Sequence, residues 1–175
     1  MLLALDLGTR TGYAMAGDAG SIDSGSISFA PRTGDPRGRR YHKFRIWLSS
    51  LPLPDRVVFE EVRGHRGTLA AQIYGGLEAI LLQWCESRSI PYRGIHTGTL
   101  KKAITGAGNA TKDEMIAAIS VRGFDPGDDN EADAIGLALI GVGQITPHQT
   151  GTTKARTAPS RKGTTMMFND SGGGL

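Results

Sequence analysis

Four acidic positions in this chain stand where their carboxylates could converge. Asp6 ends the first apolar run, Glu60 ends a later one, and Asp129 and Asp133 open a hydrophobic helical stretch. Each has an ordinary explanation on its own: a strand-end Asp forms turns, Glu60-Glu61 suits an exposed strand end, and Asp128-Asp129 suits a helix N-cap. Brought together, they imply a cation. Crowded carboxylates repel and raise one another's pKa, so a set held ionised needs a positive partner. Oxygen donors without Cys or His favour a hard ion, Mg²⁺ or Mn²⁺, over Zn²⁺. Two such ions about 4 Å apart can activate water and stabilise the leaving oxygen of a phosphodiester. The implied chemistry is in-line attack of water on a nucleic-acid phosphate.

The elements that must position these acids can be read from periodicity. Leu2 to Leu5 is a short apolar strand ending at Asp6, followed by the glycine-punctuated turn Leu7-Gly8-Thr9-Arg10-Thr11-Gly12. Tyr13 to Ala16 and Ser21 to Phe29 read as two further antiparallel strands joined through Gly17-Asp18-Ala19-Gly20. Asp35 to Leu51 has helical spacing at Tyr41, Phe44, Trp47, Leu48 and Leu51, ended by Pro52 and Pro54. Arg56 to Glu61 is a strand, Thr68 to Ser87 one long helix, and Pro91 to Ile95 a short strand. Lys112 to Ser120 and Glu131 to Val142 read as helices, the second apolar around almost its whole circumference and therefore largely buried. The order β-β-β-α-β-α-β-α-α predicts an α/β fold, a mixed five-stranded sheet with helices on both faces.

A chain of 175 residues, 39% hydrophobic, suits one domain with a real core. Residues 1–145 are expected to form it, and the basic, Gly/Ser/Thr-rich residues 146–175 to be a disordered tail. The net charge of +3 comes entirely from that tail, where Lys154, Arg156, Arg161 and Lys162 face one Asp170. Within the neutral body the charges separate, basic from Arg32 to Arg66 and acidic from Asp113 to Asp133. Such segregation suits a nucleic-acid enzyme, with a positive strip for phosphates beside an acidic pocket; two solvated faces would look the same. A single cysteine, Cys85, excludes a disulfide framework and fits a reducing cytoplasm. No apolar run approaches membrane-spanning length.

The residues also carry a family resemblance. Asp6-Leu7-Gly8-Thr9-Arg10-Thr11-Gly12-Tyr13-Ala14 is similar to the opening motif of RuvC-type Holliday-junction resolvases, and Phe59-Glu60-Glu61-Val62 looks like their second motif. Thr97 to Met115 resembles the stretch where a helix, a Gly-rich turn and an Ala-x-Lys element precede another helix. Asn130-Glu131-Ala132-Asp133-Ala134-Ile135-Gly136-Leu137-Ala138 resembles the terminal-helix motif. The resemblance runs in order through most of Met1 to Val142, and a phage-type member would suit the compact size.

It implies an RNase H-like fold and a homodimeric endonuclease with Mg²⁺, or Mn²⁺ as substitute, two ions per site, cutting four-way or branched DNA by paired nicks. It also implies that Asp6, Glu60 and Asp133 are catalytic metal ligands, and that Lys112 lies beside the scissile phosphate, where a compact ammonium stabilises developing charge. Lys112 reads equally as a solvated helical lysine. Asn130, one turn before Asp133, stands where the family usually has Asp or His and is the preferred fourth metal ligand by register, through an uncharged oxygen. Asp129, four residues before Asp133, is the reserve carboxylate. Arg63, His65 and Arg66, with Lys101 and Lys102, are candidate phosphate contacts. Arg37, Arg39, Arg40 and Lys43 read as either a DNA surface or a solvated face. The long helix from Thr68 to Ser87 is the candidate dimer interface, although its apolar positions Leu77, Ile80, Leu81 and Trp84 more often mean an internal core.

Three other readings remain open. Asp-x-Gly-Thr after a strand also begins actin-like ATPases and sugar kinases, but those need a second lobe and a nucleotide site, and no nucleotide cofactor is expected here. A YqgF-type RNA-processing nuclease would share the fold and the acids. A catalytically weakened nucleic-acid-binding module would explain Asn130.

Overall fold

The computed structural model describes residues 1–17, 20–64 and 67–146. Its sheet is built around β1 (Leu2–Asp6), which pairs antiparallel with β2 (Arg10–Ala16) and parallel with β4 (Arg56–Glu61). The outer strands are β3 (Ile22–Ser28), antiparallel to β2, and β5 (Tyr92–His96), parallel to β4. The strand order is β3-β2-β1-β4-β5. Among the described residues there are five helices: α1 (Arg39–Ser50), α2 (Thr68–Arg88), α3 (Thr97–Thr105), α4 (Lys112–Ser120) and α5 (Asp129–Gly141).

Alternation along the central strands decides which helix meets which face. Leu3, Leu5, Val57 and Phe59 pack with Phe44 and Leu48 of α1 and with Leu77, Leu81 and Trp84 of α2. Leu2, Ala4 and Val58 turn to the other face, against Leu100 and Ile104 of α3, Met115 and Ile119 of α4, and the apolar surface of α5. This is the period of two that a strand covered on both sides requires. Each fully buried Leu or Phe contributes about 1.5–3 kcal/mol relative to its exposed state. Helix α5 is as buried as its composition suggests, with Ala132 and every residue from Ala134 to Ile140 inside.

Two expectations need correction, the missing helix after β5 and the start of α1. The connection after β5 contains α3, which periodicity alone did not separate; its start is capped by the His96 side chain, which accepts from the Gly98 N–H at 3.2 Å, and Gly106 ends it at φ 87°. Helix α1 begins at Arg39 instead of Asp35, because Asp35 caps a turn in which its carboxylate accepts the Arg32 N–H at 2.9 Å. Leu77, Leu81 and Trp84 are buried within the chain and Ile80 packs partly buried beside them, so these positions serve the core of one chain.

Cys85 is a buried free thiol, its pKa pushed up to about 12 chiefly by that burial, and behaves as a small hydrophobe. Among the described residues no helix is long and apolar enough to cross a membrane. The expected tail from 147 onward, like His65 and Arg66, lies outside the described residues.

Candidate active site

Strand register brings the first two acids together. Leu5 pairs with Phe59, and the next residue on each strand is the acid, Asp6 on β1 and Glu60 on β4. Both share the face of Ala4 and Val58, so both side chains turn toward α5. The turn after Asp6 is closed by Thr11, fully buried, whose hydroxyl donates to the Gly8 carbonyl at 2.9 Å. The end of β4 is fixed by Tyr74 of α2, whose hydroxyl donates to the Glu60 carbonyl at 2.9 Å and accepts from the Val62 N–H at 3.3 Å. Burial raises the Tyr74 pKa above its ordinary value, so it stays a donor.

Helix α5 supplies the third acid. One carboxylate oxygen each of Asp6, Glu60 and Asp133 lie within 4.8 Å of one another. Burial first, then the Glu60 charge and a hydrogen bond to it, then the charges of Asp133 and Asp129 hold Asp6 well above the usual carboxylate range. Burial first, then the Glu60 charge, pushes Asp133 up to about 7, against the opposing pull of Lys101 and Lys112. Asp133 Oδ1 is buried with no hydrogen-bond partner. Three all-oxygen donors, mutually repelling, one with an unmatched buried oxygen, suit a hard divalent cation.

The first turn of α5 is held by a second set of contacts on the outer strands. Asp128 caps the helix by accepting the Glu131 N–H at 2.9 Å, and its other oxygen accepts the Ser26 hydroxyl at 2.6 Å, with Arg10 at 3.5 Å. Burial would raise Asp128, but the Ser26 hydroxyl, the Glu131 N–H and the Arg10 charge outweigh it and hold the carboxyl below its usual range. Glu131 accepts the Ser24 hydroxyl at 2.7 Å and the Gly127 N–H at 2.9 Å. Gly12 makes the approach possible, since a Cβ there would lie 1.9 Å from the Asn130 carbonyl oxygen. Ser24 and Ser26, two apart on β3, share one face, and Asp128 and Glu131 have the spacing of an N-cap and its third helical residue. Those spacings were the signal from which this clamp could have been found.

Basic groups approach the cluster from α3 and α4. Lys112 ion-pairs with Asp129, and the hydrogen bond and charge of that partner raise its pKa. The reciprocal capping box of Thr111 and Glu114 sets where α4 begins and so where Lys112 stands. Lys101, anchored on the Ala110 carbonyl at 2.6 Å, acts on Asp133 by charge, whereas Lys102 is exposed. Arg63 lies 3.5 Å from Glu61 beyond the end of β4. Of the sequence candidates, the fold thus gathers Asp6, Glu60 and Asp133, with Asp129, Lys112 and Lys101 around them. Asn130 is in the same helical turn, its backbone against Gly12.

Comparisons with known proteins bear on the fold and the family of the chain. No family model matches the chain. The crossover junction endodeoxyribonuclease RuvC of Anaeromyxobacter sp. (strain Fw109-5) is 30% identical over 146 residues, covering 78% of this chain and 70% of that protein. Among solved structures, T. thermophilus RuvC in complex with a Holliday junction substrate superposes with a TM-score of 0.63 at 21% identity, over 79% of this chain and 90% of that one. A second Thermus thermophilus RuvC structure gives 0.62 at 19% identity, over 83% and 98%. These structures share the RNase H-like fold, and with the curated relative they establish that the chain belongs to the RuvC family of crossover junction endodeoxyribonucleases.

Proposed function

We propose that this protein is a divalent-cation-dependent endonuclease that resolves four-way DNA junctions by paired, symmetric nicks. The observation that carries the proposal is the meeting of Asp6, Glu60 and Asp133 within 4.8 Å, in a chain of a family named for this reaction. Asp6, Glu60 and Asp133 would hold the cation, Mg²⁺ or in its place Mn²⁺, two per site. When bound, such ions lower the pKa of water and offset charge on the leaving oxygen.

The chain's own residues do the rest. Burial and the Glu60 charge raise the affinity of Asp6 and Asp133 for protons, so a bound cation has to displace protons from these two carboxylates. Lys112, paired with Asp129 at the cluster's edge, is a phosphate contact: a nucleic-acid phosphate competes for its ammonium and frees the Asp129 carboxylate. The Asn130 amide oxygen is the preferred further donor, with Asp129, whose charge acts on both Asp6 and Asp133, in reserve. Lys101, and with it Arg63, His65, Arg66 and Lys102, positions backbone phosphates without reading bases.

Two cuts related by symmetry call for two sites, so the working form is a homodimer, with helix α2 as the candidate interface. The nuclease domain is residues 1–145, residues 146–175 add non-specific affinity through their basic residues, and the enzyme works in the cytoplasm.

The test is cleavage of a labelled four-way DNA junction, matched duplex DNA and structured RNA, with Mg²⁺ or EDTA. The wild type nicks the junction in pairs only with metal, and Asp6→Asn lowers the rate by at least about 10²–10³-fold, the scale for loss of a charge-stabilising group. Cutting of RNA alone moves the protein to an RNA-processing role, and binding without cleavage makes it an inactive binding module.

A further inference from the structure

We infer that the β3–α1 connection and the first turns of α1 form a phosphate-binding surface that seats a DNA arm leading to the catalytic cluster. The inference rests on the nuclease reading above and adds where the substrate lies.

Topology places this segment. Strands β1 and β3 both run antiparallel to β2, so they run parallel to each other and end at the same edge of the sheet. Asp6 ends β1 there, and Phe29, just past β3, donates its N–H to the Thr9 carbonyl at 2.8 Å. Strand β4 begins at the opposite edge, where Arg56 pairs with Leu2. Helix α1 must therefore descend from the catalytic edge, and its N-terminal turns stay beside it. Two strand spacings separate β3 from β1, about 10 Å. That is roughly the reach of three nucleotides of one strand.

Charge supplies the occupant. Arg32, Arg37, Arg39, Arg40 and Lys43 lie in this segment with Asp35 as its acid. Asp35 serves as an organiser: it accepts the Arg32 N–H at 2.9 Å and stands 3.8 Å from the Arg39 guanidinium and 3.9 Å from the Lys43 ammonium. Lys43 also donates to the Ala30 carbonyl at 3.3 Å, folding the connection onto the helix. Among the described residues no acid pairs with Arg32, Arg37 or Arg40. Arg32, Arg37 and Arg39 are solvent-exposed. One carboxylate thus holds the backbone of Arg32 and the side chains of Arg39 and Lys43, a single negative charge among five cations. A row of exposed guanidinium groups beside a site that cuts phosphodiesters fits the backbone of a nucleic acid.

The experiment is fluorescence anisotropy of a labelled four-way DNA junction in EDTA over a range of salt, using the full chain. The triple variant Arg37→Gln, Arg39→Gln, Lys43→Gln should bind on the order of 10-fold or more weakly, with the log–log salt slope reduced by about 2–3. Arg56→Gln, at the opposite edge, should leave the slope unchanged. Arg37→Lys with Arg39→Lys should retain binding, which separates charge from fold, and thermal midpoints check that each variant is folded. An unchanged slope in the folded triple variant overturns the inference. Because binding is read without metal, this result is independent of whether the wild type cleaves: normal cleavage with an unchanged slope rejects the surface alone, while slope loss in a chain that never cleaves rejects the nuclease reading alone.

Discussion

The two halves of the acidic cluster are held in different ways. Asp6 and Glu60 belong to neighbouring strands whose ladder fixes their separation, and Thr11 and Tyr74 only finish the two strand ends. Asp133 belongs to a helix packed across the sheet, placed by a glycine-sized gap at Gly12 and by hydroxyls of Ser24 and Ser26 on the outer strand. Backbone pairing makes the first half rigid in any sequence that forms the sheet. Side chains specific to this protein make the second half, so its precision can be lost without losing the fold.

The comparison can be broken most forcefully at Gly12. A methyl group there meets the Asn130 carbonyl and the start of Glu131, both backbone, so the first turn of α5 has to move. Gly12→Ala should cost about 3 kcal/mol, the upper range for overpacking, read by denaturant unfolding. It should also lower the affinity for divalent cations, whereas the ladder around Asp6 and Glu60 stays intact. A variant with normal cation affinity would show that the helix is positioned by other contacts.

A gentler version removes the clamp. Ser24→Ala and Ser26→Ala each take a hydroxyl from a partly buried carboxylate and should cost about 1.5 kcal/mol. In the double variant, cation binding should weaken more than unfolding stability predicts, and Ser26→Thr, which keeps the hydroxyl, should restore it. Equal behaviour of the double variant and wild type in metal binding would mean that the clamp serves stability alone.

The same contrast explains what the sequence disclosed. Apolar runs and their terminal acids are local patterns, so β1, β4, Asp6 and Glu60 could be read directly, and the apolar circumference of α5 announced its burial. Asp133 could be joined to them through the order of elements and the family resemblance. Contacts across the fold are not local. The partners of Asp128 and Glu131 lie more than a hundred residues away on β3, and Lys112 meets Asp129 only because α4 packs beside α5. Periodicity did not show helix α3, whose nine residues carry only two buried positions, Leu100 and Ile104; the family resemblance alone implied a helix there. The stripe Leu77, Leu81 and Trp84 shows the converse, a pattern that fits an interface and a core equally until the sheet is laid against it.

The central claim, that strand and helix acids form one cation site, is tested most directly by thermal unfolding against pH, with EDTA or with Mg²⁺, in the wild type and in Asp133→Asn. Asp133 is raised from 3.8 to about 7 and Asp6 is raised well above 3.8 in the folded state. Both therefore bind protons more tightly folded than unfolded. Their contribution is fully present below the unfolded pKa and is lost as pH rises through the folded values. In EDTA the wild-type midpoint should fall between about pH 4 and about pH 7, and Mg²⁺ should reverse the fall. Asp133→Asn should flatten the pH dependence and abolish most of the Mg²⁺ effect. A wild-type midpoint that ignores both pH and Mg²⁺ across that window would contradict the account.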